Sequence, residues 1–164
     1  MRKLIRIFLA IVILRCVAFA PSAFAASASA SITQAEGENF VRSFYHDLEE
    51  DDLDKVMAHF DQTVEYYNFG ARDRPFIVHD LEQYCAYFPS RSFSVGEVNL
   101  TPLPNSDRVS VKFDLRFFIR NPDRDMTRSG SSHVDWDLAK RDGALKITKF
   151  NGTMVEEPGA SPSK

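Results

Sequence analysis

Residues 108–120 read RVSVKFDLRFFIR, and this stretch decides the fold. Val109, Val111, Phe113, Leu115, Phe117 and Ile119 alternate with Ser110, Lys112, Asp114, Arg116, Phe118 and Arg120. A period of two is the period of a strand, because successive side chains leave opposite faces. One face is apolar and the other charged, as in an antiparallel strand whose sheet is covered on one side only. Downstream, Asn121-Pro122-Asp123 turns the chain. Residues 126–140 then form a second such strand, with Val134, Trp136 and Leu138 set against His133, Asp135 and Asp137. Asp142-Gly143 is a two-residue hairpin signal, and residues 144–154 make the last strand. Upstream, Pro102, Pro104 and Asn105 connect back to a strand over 91–103, in which Gly96 marks a bulge.

Before Pro89 the period is that of a helix. Thr33 and Glu36 form a capping box, followed by Phe40, Val41, Phe44, Tyr45 and Leu48 on one face. The acidic run Glu49-Glu50-Asp51-Asp52 ends that helix, and Asp51 or Asp52 caps a second whose stripe is Leu53, Val56, Met57 and Phe60. Residues 64–67 read as a short strand and 70–75 as a loop. Leu81, Tyr84, Cys85 and Phe88 predict a third helix over 78–88, stopped by Pro89. Helices first and long strands after indicate an α+β domain. Its cone-shaped, curved antiparallel sheet would wrap around three N-terminal helices and enclose a conical cavity.

Composition is ordinary for a globular chain, with 26% charged and 44% hydrophobic residues among 164. Residues 1–25 stand apart. Arg2, Lys3 and Arg6 precede the apolar run Ile7 to Leu14, and Ala23-Phe24-Ala25 supplies a small-x-small site. That is the pattern of a secretory signal peptide. Arg15 makes the run too short for a membrane anchor, which needs roughly 20 apolar residues. The expectation is an exported, periplasmic or secreted protein: signal peptide 1–25, flexible leader 26–34, folded domain 35–155 and disordered tail 156–164. Cleavage removes four basic residues and Cys16, so the net charge of −3 becomes more negative and Cys85 is left alone. No internal disulfide is then expected, and so acidic a chain excludes non-specific nucleic-acid binding.

The element order resembles the nuclear-transport-factor-2-like superfamily, also called SnoaL-like. The residues that carry the resemblance are Phe44 to Phe60, where a short acidic turn and Asp52-Leu53-Asp54 lead into the second helix, then Val64-Glu65-Tyr66, and Asp142-Gly143-Ala144-Leu145-Lys146-Ile147. It spans about residues 35–155 and implies the SnoaL-like roll. The superfamily holds isomerases, epoxide hydrolases, cyclases, ligand binders, transport adaptors and secretion subunits, so it implies a cavity and no particular reaction.

Two catalytic patterns follow from the resemblance. The ketosteroid isomerase pattern needs a tyrosine, a basic carboxylate and a protonated carboxylic acid, at positions occupied here by Phe44, Tyr66 and Trp136. That set is absent. The limonene epoxide hydrolase pattern is matched by Tyr66-Tyr67-Asn68, by Lys112-Phe113-Asp114 and by Asp135 as a further carboxylate. It would make Tyr66, Asn68, Lys112, Asp114 and Asp135 the candidate catalytic residues. It requires the charged face of 108–120 to line the cavity, whereas the alternation favours Val111, Phe113 and Leu115 inward. The simpler reading makes Lys112, Asp114, Arg116, Arg120, His133, Asp135 and Asp137 a solvated outer face.

Phe44, Tyr45, Tyr66, Tyr84, Phe88, Phe113 and Trp136 are the candidate ligand-pocket residues, since apolar walls with a few hydroxyls suit small molecules. The same rings would equally fill a core. Cys85 lies on the apolar stripe of its helix and reads as core. His46, His59, His79 and His133 lack metal-ligand spacing, and Asp123-Arg124-Asp125-Met126-Thr127 carries Arg128 where a calcium loop needs glycine. No metal or cofactor is expected. The leading expectation is a domain that binds a small apolar ligand without a resolved catalytic set. Behind it stand a small-molecule hydrolase or isomerase, and an assembly module or homodimer using the outer sheet face.

Overall fold

The computed structural model describes residues 31–104 and 106–156. Residues 1–25, expected to be a signal peptide, most of the expected leader 26–34 and nearly all of the expected tail 156–164 lie outside the described residues. Helix α1 (Gln34–Glu49) is followed by α2 (Leu53–Ala58), strands β1 (Phe60–Tyr66) and β2 (Ala71–Asp73), helix α3 (Arg74–Tyr87), and strands β3 (Ser90–Pro102), β4 (Arg108–Asn121), β5 (Met126–Arg141) and β6 (Ala144–Glu156). The six strands form one sheet in the order β2-β1-β6-β5-β4-β3. The four long strands pair antiparallel in succession, and β1 joins β6 in parallel, so the sheet is mixed and open.

The local signals act as chemistry dictates. Thr33 caps α1 with the reciprocal Glu36 box, and Asp52 caps α2 by accepting from the Lys55 amide. Asp142 and Gly143 take positive φ angles of 51° and 82°, which turn β5 tightly into β6. The register between β3 and β4 slips between Val95 and Val98, placing the expected bulge at Gly96.

Three boundaries differ from expectation. Phe60 opens β1 and does not close the second helix. The 70–75 loop holds β2 and the first residues of α3. Helix α3 begins at Arg74 because Asp73 caps it through the Phe76 amide and Pro75 fits its first turn.

The alternation in β4 is realised in full. Val109, Val111, Phe113, Leu115, Phe117 and Ile119 are buried, while Lys112, Asp114, Arg116, Phe118 and Arg120 are exposed. Each buried side chain of this size stabilises the fold by roughly 1.5–3 kcal/mol. The inward face meets α1 and α3 in one core that contains Val41, Phe44, Val56, Ile77, Leu81, Cys85, Trp136 and Ile147. A second cluster of Phe88, Phe117 and Ile119 lies beyond it.

Arg91 ties the layers together. Its guanidinium donates to the carbonyls of Leu48, Cys85 and Phe88 and pairs with Asp51, so it joins the C-terminal ends of α1 and α3 to β3. A cation at two helix C-termini also opposes their dipoles favourably.

Candidate functional site

Between α3 and the inward face of the sheet lies a cavity of about 630 Å³ that borders both apolar clusters. Strand β1 delivers Tyr66 to it. The chain then leaves the strand abruptly: Tyr67 adopts φ 48°, a short 3-10 turn runs over Tyr67–Phe69, and Gly70 at φ 76° reverses direction. The Tyr66 amide donates to the Gly70 carbonyl at 3.0 Å and closes this turn. A non-glycine residue at positive φ is strained, and such strain is held only where the surroundings enforce it.

Helix α3 supplies the opposite rim. Ile77, Leu81 and Cys85 face the core, and the adjoining side turns Asp80, Gln83, Tyr84 and Tyr87 toward the cavity. The Tyr66 hydroxyl donates to Asp80 Oδ2 at 2.7 Å across the opening. Burial, aided by this hydrogen bond to a carboxylate, pushes the Tyr66 phenol far above its ordinary value. Burial raises Tyr84 to about 12 against the opposing pull of Arg91. Both phenols are neutral donors across the physiological range.

Helix α1 and the sheet together form an aromatic wall. Tyr45 stacks on Trp136 at 18° between planes, Trp136 on Phe150 at 25°, and Phe150 on Tyr66 at 12°. All four rings line the cavity. Of the expected pocket residues, Phe44, Tyr45, Tyr66, Tyr84, Phe88 and Trp136 lie in the lining of this cavity. Phe113 does not: it is buried with its ring perpendicular to that of Trp136, centroids 5.2 Å apart, outside the lining.

The hydrolase-type set is not assembled. Lys112, Asp114 and Asp135 lie on the outer face, separated from Tyr66 by the sheet itself. Asp114 and His133 pair across the strands with both side chains 71% exposed. Asp135 pairs with Lys149 at 2.8 Å and accepts from Ser110. Asn68 sits exposed in the turn after β1, away from the lining.

Asp137 departs from the solvated face expected of it. It is buried beside the register shift between β5 and β6, and that burial raises its carboxyl pKa. Cys85 is a core residue whose thiol burial lifts to about 11.

Sequence reasoning missed Asp80, Tyr67 and Asn151 in the lining. For Asp80 a signal existed, since it precedes Tyr84 by one helical turn. Its meaning needed the position of β1, which no local pattern supplies.

Among the described residues, no group of three or more His, Cys, Asp or Glu side chains is placed to hold a metal ion. No helix among them is long and apolar enough to cross a membrane.

No family model and no curated protein sequence matches the chain. Solved structures do. A Novosphingobium aromaticivorans protein provisionally named a scytalone dehydratase is 16% identical, with a TM-score of 0.65 over 72% of this chain and 80% of its own. The hexachlorocyclohexane dehydrochlorinase LinA-type3 from Novosphingobium barchaimii is 14% identical, with a TM-score of 0.60 over 76% and 92%. The protein Aln2 from a Streptomyces species is 13% identical, with a TM-score of 0.63 over 73% and 88%. Identities this low speak for the backbone and not for the chemistry. Together with the helix order and the open sheet, they give this chain the nuclear-transport-factor-2-like, or SnoaL-like, fold.

Proposed function

We propose that the protein binds a small, mostly apolar molecule in the cavity between α3 and the sheet. The observation that carries this reading is the cavity itself. It offers about 630 Å³, and its wall is a stack of aromatic rings with neutral phenols at one side. Ligand sites of 300–1,000 Å³ with apolar walls and few polar groups are the general pattern. The Tyr66–Asp80 pair at the opening gives such a ligand one polar end to meet.

Titration of the folded protein with 2-isopropenylnaphthalene, followed by calorimetry and by the emission of Trp136, tests the reading. Trp136 is the one tryptophan of the chain and lines the cavity. Saturable 1:1 binding with a change in its emission is expected. Absence of saturation up to the solubility limit rejects the proposal.

A second reading rests on the contact between Tyr66 and Asp80 alone. A carboxylate held at the opening by a phenol can take a proton from a bound molecule. If this is the function, Asp80→Asn abolishes turnover of a substrate while leaving its affinity within about threefold. Equal turnover by wild type and variant excludes Asp80 as the base.

A further inference from the structure

The cavity carries one formal charge, and it is negative. Among the described residues that line it, Asp80 is the single carboxylate, and none is Lys, Arg or His. No cation among the described residues pairs with Asp80. Its carboxylate accepts from the Tyr66 hydroxyl at 2.7 Å, and the adjacent His79 ring turns instead to Gln83. Elsewhere carboxylates are neutralised: Asp61 and Asp107 meet Arg141, and Asp135 meets Lys149.

Aromatic residues lie beside this carboxylate. Tyr66 reaches it directly, and the Tyr67 ring stands nearly perpendicular to that of Tyr66 with centroids 4.9 Å apart. Tyr84 follows Asp80 by one helical turn and lines the same cavity. Burial, with the Asp80 charge behind it, raises the Tyr67 phenol far above its ordinary value, so that ring stays neutral. These groups are within reach of a ligand at the opening: Asp80 is exposed and Tyr67 is 40% exposed. A ring face attracts a positive charge through its quadrupole. A carboxylate without a cation, set among neutral rings, is complementary to a positive group and repels a negative one.

We propose that the cavity ligand is an organic cation, an amine or quaternary ammonium on an apolar body, whose charged end sits between Asp80 and the rings of Tyr67 and Tyr84. The inference rests on the binding reading above and names its ligand class. The competing occupant is a neutral hydroxyl that donates to Asp80, for which the rings supply no charge-dependent attraction.

The test compares (2-naphthylmethyl)trimethylammonium with 2-neopentylnaphthalene by calorimetry. The two have nearly the same shape and exchange a quaternary nitrogen for carbon, so charge alone separates them. A plain apolar pocket prefers the hydrocarbon, because a cation loses its hydration on entry. Here the ammonium should bind roughly 5- to 20-fold tighter. In Asp80→Asn the preference should invert. Tyr67→Leu should lower it about threefold, and Tyr67→Phe should keep it. Should a variant not fold, the wild-type comparison still decides.

A hydrocarbon that binds wild type as tightly as the ammonium overturns the inference and leaves the binding reading standing. An ammonium preference that survives in Asp80→Asn assigns the cation to another place and also overturns it. If neither probe binds, the binding reading itself fails and takes this one with it.

Discussion

Replacing Arg91 by methionine keeps an unbranched stem and deletes the guanidinium. Two of the carbonyls it serves have no other donor within reach by local geometry. The helical partner of the Cys85 carbonyl would be the amide of residue 89, which is Pro89 and has no N–H. The partner of Leu48 would be the Asp52 amide, which instead donates to Asp47 at 3.1 Å. Arg91 reaches Leu48 at 2.9 Å and Phe88 at 2.7 Å, from a side chain that is 1% exposed. Buried hydrogen bonds to a charged group contribute about 1.5–3 kcal/mol each. Removing the charge also removes its desolvation penalty, so the net loss is set at about 3–5 kcal/mol.

The ion pair with Asp51 adds little, because the Asp51 side chain is 65% exposed. Urea unfolding, followed in parallel by far-ultraviolet circular dichroism and Trp136 emission, measures the effect. With a slope of about 1.5 kcal/mol per molar urea, the midpoint should fall by about 2–3 M. Asp51→Asn should shift stability by less than about 1 kcal/mol. The reasoning is refuted if Arg91→Met stays within about 1 kcal/mol of wild type, or if Asp51→Asn proves as damaging.

Four further outcomes are expected. Cys85 should resist dithiobis(nitrobenzoate) at pH 8 in the folded protein and react on unfolding. Burial holds its proton to about 11 in the fold against an ordinary value of 9.0, so the unfolded chain ionises first. The corresponding stability is therefore present below pH 9 and falls as pH rises from 9 toward 11; denaturant midpoints across that window check the sign. Tyr66→Phe removes the hydroxyl that Asp80 accepts and keeps the stack on Phe150; a loss of about 0.5–1.5 kcal/mol by urea unfolding is expected. Asp114→Asn and Lys112→Ala touch only the exposed outer face and should change stability by under about 0.5 kcal/mol; a tenfold loss of ligand affinity in either would return that face to the site. Gly143→Ala places a Cβ at φ 82°, and a loss of about 1 kcal/mol in the same assay is expected for a left-handed turn position.

Residues whose meaning is local were legible before any coordinates. The alternation of 108–120 told which face of β4 would be buried, because the pleat sends neighbouring side chains to opposite sides and one side is apolar throughout. The Thr33–Glu36 box, the Asp142-Gly143 turn and the Gly96 bulge depend on backbone needs within a few residues, and each fell where read. The element order was enough to point to the fold.

The 70–75 segment was not legible in this way. Glycine at 70 and proline at 75 signal a loop, yet three residues between them find β1 as a partner, and pairing overrides a short-range signal. The site divides along the same line. The aromatic residues were visible as a class, but Phe113 and Trp136 are both inward and aromatic, and only packing seats one outside the cavity lining and the other in its wall. Lys112-Phe113-Asp114 matched a motif by spacing, and the sheet then placed its charges on the far side from Tyr66.

Asp80 shows the limit most plainly. Local sequence specifies periods, caps and turns, because these need only neighbours along the chain. The meeting of Asp80 with Tyr66, fourteen positions apart, the stacking of Tyr45, Trp136, Phe150 and Tyr66, and the buried donor left at Trp136 arise where separate elements pack. Only the tertiary structure decided them, since the free energy of such contacts belongs to pairs of residues that the chain does not hold side by side.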